Sequence, residues 1–225
     1  MKSTYVQKHS EEETKYKSKA SAAHPMRILT VSSLGAVFYR LEEGSGAIPT
    51  TLVEEKGYPQ YLNATMGKFA PFAGRLAVIA DPIGLHVVDC VAGKELRLIP
   101  KMTTISAMSI SPRDSYLITC EKFVQGEKNL IVWDIAKGVE VGQFEWKKGS
   151  KEGTKSIKFT EDERFCARLS SKTQIEVFEG GNFTEPYAKI NANADSLSKK
   201  GGSKADAGKG KYWFDGFEYV PTHTS

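Results

Sequence analysis

The sequence contains few of the residues on which catalytic and metal sites depend. Of its four histidines, His9 and His24 lie in a polar leading segment and His223 is close to the last residue. Only His86 lies in a patterned segment, so a His–nucleophile or His–metal arrangement lacks parts. None of the motifs GxGxxG, GxxxxGK(S/T), GxSxG or HExxH occurs. We therefore expect a protein that is not an enzyme and that uses no cofactor, metal or small-molecule substrate.

Cysteines are also scarce, and their arrangement argues against a disulfide framework. Cys90, Cys120 and Cys166 give an odd count with no CxxC pair, and each lies in an apolar run typical of a strand. Buried free thiols in a reducing compartment explain this pattern better than disulfides or metal ligands.

Long apolar runs are missing as well. No stretch of 18 apolar residues predicts a transmembrane helix, so we expect no membrane partner. Residues 1–25 are polar and charged and lack the apolar core of a signal peptide. These features predict a disordered tail over residues 1–25 and a cytoplasmic location.

What the sequence does contain is an internal repeat. GLHVVDCVAGKELRLI (84–99) aligns with NLIVWDIAKGVEVGQF (129–144), and the acidic residues Asp89 and Asp134 are 45 positions apart. A weaker copy, QIEVFEGGNFTEPYAKI (174–190), has Glu179 another 45 residues on, and GAVFYRLEEGSGAIPTTLV (35–53) is a possible earlier copy. A regular period of this length indicates a repeat architecture.

Each copy follows two apolar runs that are separated by a polar turn. The pattern is clearest in ISAMSISPRDSYLITCEK (105–122), repeats in TKSIKFTEDERFCARLSS (154–171), and is looser in YLNATMGKFAPFAGRLAVIAD (61–81). Proline, glycine and acidic residues in the turns favour reversal between antiparallel strands. One unit therefore consists of four short strands in 40–45 residues, which is typical of a propeller blade.

An aromatic–Asp pair at the end of the third strand identifies the WD type of blade. Trp133-Asp134 is the literal pair, while Asp89 and the pair Phe178-Glu179 occupy the same place in degenerate form. A β-sandwich or simple barrel is the alternative, but three aligned copies at one period favour an all-β, WD40-type propeller.

The predicted propeller spans residues 26–190 and is incomplete, with about three to four four-stranded blades. We place the units at 26–56 (lacking a clear first strand), 59–100, 103–146 and 152–190. With only three to four blades, strand edges remain unpaired. We therefore expect a truncated or partial chain, or a partner that closes the ring.

The composition changes after the last unit. Residues 191–211 are rich in Gly, Ser, Ala and Lys and predict a flexible loop, with an RNA contact as the less favoured interpretation. The aromatic residues within 212–225 predict the start of a further strand pair, although aromatics beside lysines can also stack on bases.

One basic stretch is a candidate RNA or ribosome contact. The chain is mildly basic, with a formal net charge of +4, and a lysine cluster lies between the third and fourth units. Its members are Lys147, Lys148, Lys151, Lys155 and Lys158. This connection runs from an outer strand to the next inner strand, so several lysines would lie on one rim and could contact phosphates. An exposed polar connection without a binding role is the alternative.

Residues 130–190 carry three specific motifs: Lys147-Lys148 after the outer strand, the turn EDERFCAR (161–168) and the strand end FEGGNF (178–183). With these motifs the segment resembles eukaryotic translation initiation factor 2A. A looser likeness extends it to residues 27–190. The b subunit of initiation factor 3 carries a related propeller, but these motifs favour factor 2A.

The resemblance implies an amino-terminal WD-type propeller that acts by binding. The implied partners are the small ribosomal subunit, initiator tRNA or mRNA, and other initiation factors. The implied function is to assist placement of initiator methionyl-tRNA. A generic WD-repeat scaffold for proteins, without a role on RNA, remains the alternative.

Overall fold

The computed structural model describes residues 26–43, 49–72, 74–101, 103–192 and Phe217. This part of the chain forms fifteen strands and one 3-10 helix, arranged as four antiparallel sheets. The all-β class predicted from the repeat is therefore confirmed. Three predicted segments lie wholly or mostly outside the described residues: the tail 1–25, the loop 191–211 and the strand pair 212–225.

Each sheet is a meander in which strands that follow one another in sequence are neighbours. The first sheet contains β1 (Arg27–Ser32), β2 (Gly35–Glu43) and β3 (Pro49–Glu54). The second contains β4 (Met66–Phe69), β5 (Leu76–Asp81), β6 (Gly84–Asp89) and β7 (Lys94–Pro100). The third contains β8 (Ile105–Ile110), β9 (Tyr116–Glu121), β10 (Leu130–Asp134) and β11 (Val139–Phe144). The fourth contains β12 (Ile157–Phe159), β13 (Phe165–Ser171), β14 (Gln174–Glu179) and β15 (Ala188–Asn191). The 3-10 helix Ser150–Ser156 connects β11 to β12.

The middle strands of the second and third sheets are buried on both faces. In β5, Ala77 and Ile79 pack towards the first sheet with Phe38, whereas Val78 and Ala80 pack towards the third sheet. Successive side chains of a strand point to opposite faces, so a strand with two covered faces reads as an unbroken apolar run. This accounts for the sequences LAVIA and LIVW, which show no polar alternation.

The four sheets stack face to face as an arc of blades. The first strand of the second sheet contacts the first strand of the third, and β1 contacts β4. The first strands therefore run along one side of the arc, as inner strands do in a propeller. Within the described residues the arc does not close into a ring, and the predicted incomplete propeller is confirmed.

Hydrogen bonds to side-chain carboxylates join the turns between the first two strands of successive blades. Asp114 and Glu163 occupy matching turn positions and both adopt left-handed backbone angles, with φ of 65° and 58°. The carboxylate of Asp114 accepts a hydrogen bond from the backbone N–H of Phe72 at 3.0 Å. The carboxylate of Glu163 accepts one from the backbone N–H of Arg113 at 2.5 Å. Each turn thus binds the backbone of the blade before it.

The three cysteines are free and buried, as the sequence predicted. Burial raises the pKa of the Cys120 thiol to about 11 and that of Cys90 to about 12. Burial also raises the pKa of Cys166. All three side chains act as small apolar core groups.

Candidate functional site

The basic segment after β11 is anchored by Trp146, which is buried between the third and fourth blades. Its backbone N–H donates a hydrogen bond to Oδ1 of Asn129 at 2.7 Å, and the Asn129 amide donates back to the Trp146 carbonyl at 3.1 Å. Its indole N–H donates to the carbonyl of Gly149 at 3.2 Å. These bonds fix the point at which the chain leaves the outer strand.

The 3-10 helix Ser150–Ser156 carries the chain from this anchor back to the inner strand β12. It packs against β8 and β9 of the third blade. Gly153 permits the close approach, because a Cβ atom at this position would collide with the Cys120 sulfur and crowd Trp146. The hydroxyl of Ser156 donates a hydrogen bond to the Gly153 carbonyl at 2.6 Å. The helix is therefore held against the inner part of the third blade.

An open cavity of about 1130 Å³ lies beside this helix and the inner strands. The strands β4, β8 and β12 contribute to its wall, so three consecutive blades meet there. Of the described residues, five lysines line it and one carboxylate, that of Glu152, accompanies them. The lysines are Lys68, Lys148, Lys151, Lys155 and Lys158. A concave surface lined by charges of one sign concentrates the positive potential and attracts polyanions.

Two of these lysines lie near aromatic rings. The Lys148 ammonium is 5.5 Å from the centre of the Trp146 ring, and the Lys158 ammonium is 5.6 Å from the centre of the Phe217 ring. Such contacts favour a cation above the ring face.

The structure brings together four of the five lysines singled out from the sequence. Lys147 is the exception, because it does not line the cavity and pairs with Glu145 at 3.4 Å. Sequence reasoning missed Lys68, which reaches the cavity from the inner strand of the second blade. Only the topology reveals this neighbour, since Lys68 is 80 residues before Lys148.

The residues assigned to WD positions lie on or at the ends of the third strands of their sheets. Trp133 is buried, and its indole N–H donates a hydrogen bond at 2.9 Å to the hydroxyl of the fully buried Thr119. Phe178 is also buried and packs near Phe144 and Phe183.

The two aspartates hold the turns that follow their strands. Asp89 accepts hydrogen bonds from the backbone N–H groups of Val91 and Ala92 at 2.8 and 3.0 Å, and these bonds lower its pKa. Burial alone would raise the pKa of Asp134, but the N–H and ammonium groups of Lys137 outweigh it and lower the pKa. Glu179 behaves differently, since its carboxylate pairs with Arg164 at 3.6 Å.

His86, the one histidine within the repeats, is buried and belongs to a partly buried polar cluster. Its two ring nitrogens lie 2.8 Å from a carboxylate oxygen of Asp81 and 2.6 Å from one of Glu95. The two carboxylates lie on opposite sides of the ring. No group of three or more side chains suited to hold a metal occurs in the described part of the chain. Among the same residues, no helix is long and apolar enough to cross a membrane.

Comparisons with known proteins bear on the fold and on the resemblance that the sequence predicted. No family model matches the chain. The chain is similar to eukaryotic translation initiation factor 2A of Dictyostelium discoideum, with 30% identity over 99 residues. That match covers 42% of this chain and 16% of the relative. It confirms the resemblance predicted from the sequence.

A solved crystal structure of a eukaryotic initiation factor is similar in fold. It superposes with a TM-score of 0.56 and 22% identity, covering 75% of this chain and 40% of the other. The chain thus spans less than half of either relative. This likeness agrees with the incomplete propeller described above.

Proposed function

We propose that this chain is a propeller segment of a translation initiation factor that binds the small ribosomal subunit and assists placement of initiator methionyl-tRNA. The partial match to initiation factor 2A supports this function, together with the fold shared with a solved initiation factor. Initiator tRNA or mRNA and other initiation factors are the further partners, and the cytoplasm is the site of action. The chain acts by binding and not by catalysis.

The lysine-lined cavity is the observation that carries the proposal. Ribosomal subunits and tRNA expose phosphates, and lysine ammonium groups bind phosphates as point charges. Lys148, Lys151 and Lys155 come from one short connection, while Lys68 and Lys158 come from two inner strands. Two inner strands and one short connection thus present one positive surface, and Glu152 is the one carboxylate among its described residues.

Co-sedimentation with purified 40S subunits across a potassium chloride series tests the proposal. The site variant replaces the five cavity lysines with glutamine. A matched control replaces five exposed lysines outside the cavity: Lys56, Lys94, Lys122, Lys128 and Lys172. We expect the unmodified chain and the control to sediment with 40S subunits at low salt, and the site variant to remain in the supernatant. Circular dichroism checks that all three proteins are folded.

Two results would overturn the proposal. The first is that the unmodified chain does not sediment with 40S subunits even at the lowest salt. The second is that the site variant and the control bind equally well, which would remove the cavity from the interaction. Failure to bind 40S subunits would favour the generic protein-binding scaffold.

A further inference from the structure

The side chains around the cavity restrict what part of an RNA it can recognise. Among the residues that the structure describes, lysines supply the cationic groups of the wall and arginine is absent from it. Of the bidentate contacts to base edges, arginine or lysine binds guanine, and asparagine or glutamine binds adenine. Among the described lining residues only lysine belongs to this set, and its ammonium group is a point charge and not a planar fork. The wall is therefore suited to phosphates and poorly suited to reading bases.

The aromatic side chains at the cavity also contribute little to stacking. Trp146 is only 7% exposed, and its indole N–H is committed to the Gly149 carbonyl. Phe217 is half-buried, packs on the fourth blade and has the Lys158 ammonium near its ring. Proteins that hold single strands by stacking present aromatic faces to successive bases. Here both rings make their contacts within the protein, so they do not form such a stacking surface.

The cationic groups follow a concave path across three blades. Lys68 lies on the inner strand of the second blade, the helix lysines lie beside the third, and Lys158 lies on the inner strand of the fourth. A flexible single strand can follow a concave path and place successive phosphates beside successive lysines. A stiff duplex can follow the same path only at a cost in bending energy.

We infer that the cavity binds the sugar–phosphate backbone of single-stranded RNA and does not read its base sequence. This inference rests on the proposed function and specifies the part of the RNA that is bound. Each lysine that neutralises a phosphate releases counterions, which for single strands contributes about −0.7 to the slope of log K against log salt. Five such contacts give a slope of about −3.5, which is a loss of affinity of roughly 100-fold between 50 and 200 mM salt.

Fluorescence anisotropy with labelled oligonucleotides tests this inference. The probes are uridine, adenosine and cytidine 15-mers and an RNA duplex of the same length. We expect the three single strands to bind within a few-fold of one another and the duplex to bind more weakly. Each single Lys→Gln substitution in the cavity should reduce the magnitude of the salt slope by about 0.7. Substitutions at Lys94, Lys128 and Lys172 should leave it unchanged.

Several outcomes would overturn the inference. They are a tenfold preference for one base, tighter binding of the duplex, or a slope that the cavity substitutions do not change. Equal competition by polyglutamate of matched charge would point to an acidic protein segment as the ligand. If the oligonucleotides do not bind but 40S subunits do, the proposed function survives and the inference fails.

Discussion

The hydrogen bond between Trp133 and Thr119 provides a quantitative test of the third blade. Trp133→Phe removes the indole N–H and leaves the Thr119 hydroxyl, which is fully buried, without this donor. Thr119→Val removes the acceptor and leaves the indole N–H without its partner. Loss of one partner of a buried pair costs about 1–3 kcal/mol, because the remaining group is desolvated and unpaired.

The double variant should lose less stability than the sum of the two single variants. Once one partner is gone, removal of the second leaves no further unpaired group. Trp133→Phe also removes ring volume and part of the contact with Lys101, whose ammonium lies 5.3 Å from the ring centre. This cost is present in both backgrounds and cancels in the double-mutant cycle. We therefore expect a coupling energy of about 1–2 kcal/mol.

Urea unfolding followed by far-ultraviolet circular dichroism measures the four free energies. The cycle is interpretable if the dependence of the free energy on urea is the same for all four proteins. The changes in unfolding free energy caused by substitutions at distant, independent sites add to within about 0.3–0.5 kcal/mol. A coupling energy within that limit would refute the buried hydrogen bond.

Three other features of the fold lead to specific expectations. Burial, together with the neighbouring Glu163 carboxylate, raises the pKa of Asp114 above its usual 3.8 although it accepts a backbone hydrogen bond. When the pKa of a carboxyl group is higher in the folded than in the unfolded state, the folded protein loses stability as the pH rises through that higher pKa. Asp114→Asn should therefore stabilise the chain at pH 7 in thermal melts, and the gain should vanish below pH 3.8; an equal gain at both pH values would contradict this. Gly153→Ala should cost about 1–3 kcal/mol of unfolding free energy, because the helix must move away from β9; an unchanged urea midpoint would contradict the close approach. Ellman's reagent at pH 8 should leave all three cysteines unmodified in the native chain and modify all three in guanidinium, and rapid native reaction would contradict their burial.

The repeat pattern was sufficient to predict the fold because the strands carry strong local signals. The 45-residue spacing of Asp89 and Asp134 reflects two turns with the same hydrogen bonds, and Gly93 and Gly138 follow them with left-handed φ of 64° and 69°. The apolar runs of the middle strands reflect burial on both faces. Such signals lie within one blade and can be read in order along the chain.

The candidate site was only partly predictable because it forms between blades. Four of its lysines are close in sequence, and the connection between outer and inner strands places them together. Lys68 could not be assigned, since its position depends on how the second blade packs against the third. The separate position of Lys147 depends on its contact with Glu145 and on the anchoring of Trp146, neither of which has a sequence signal.

Cross-linking within the complex tests the central claim most directly. Ultraviolet irradiation of the chain bound to 40S subunits, followed by mass spectrometry, identifies the peptides that lie against RNA. We predict cross-links in the segment from Trp146 to Lys158 and in the strand that carries Lys68. Cross-links confined to the outer strands β7, β11 and β15 would contradict the assignment of the lysine-lined cavity as the RNA-binding surface.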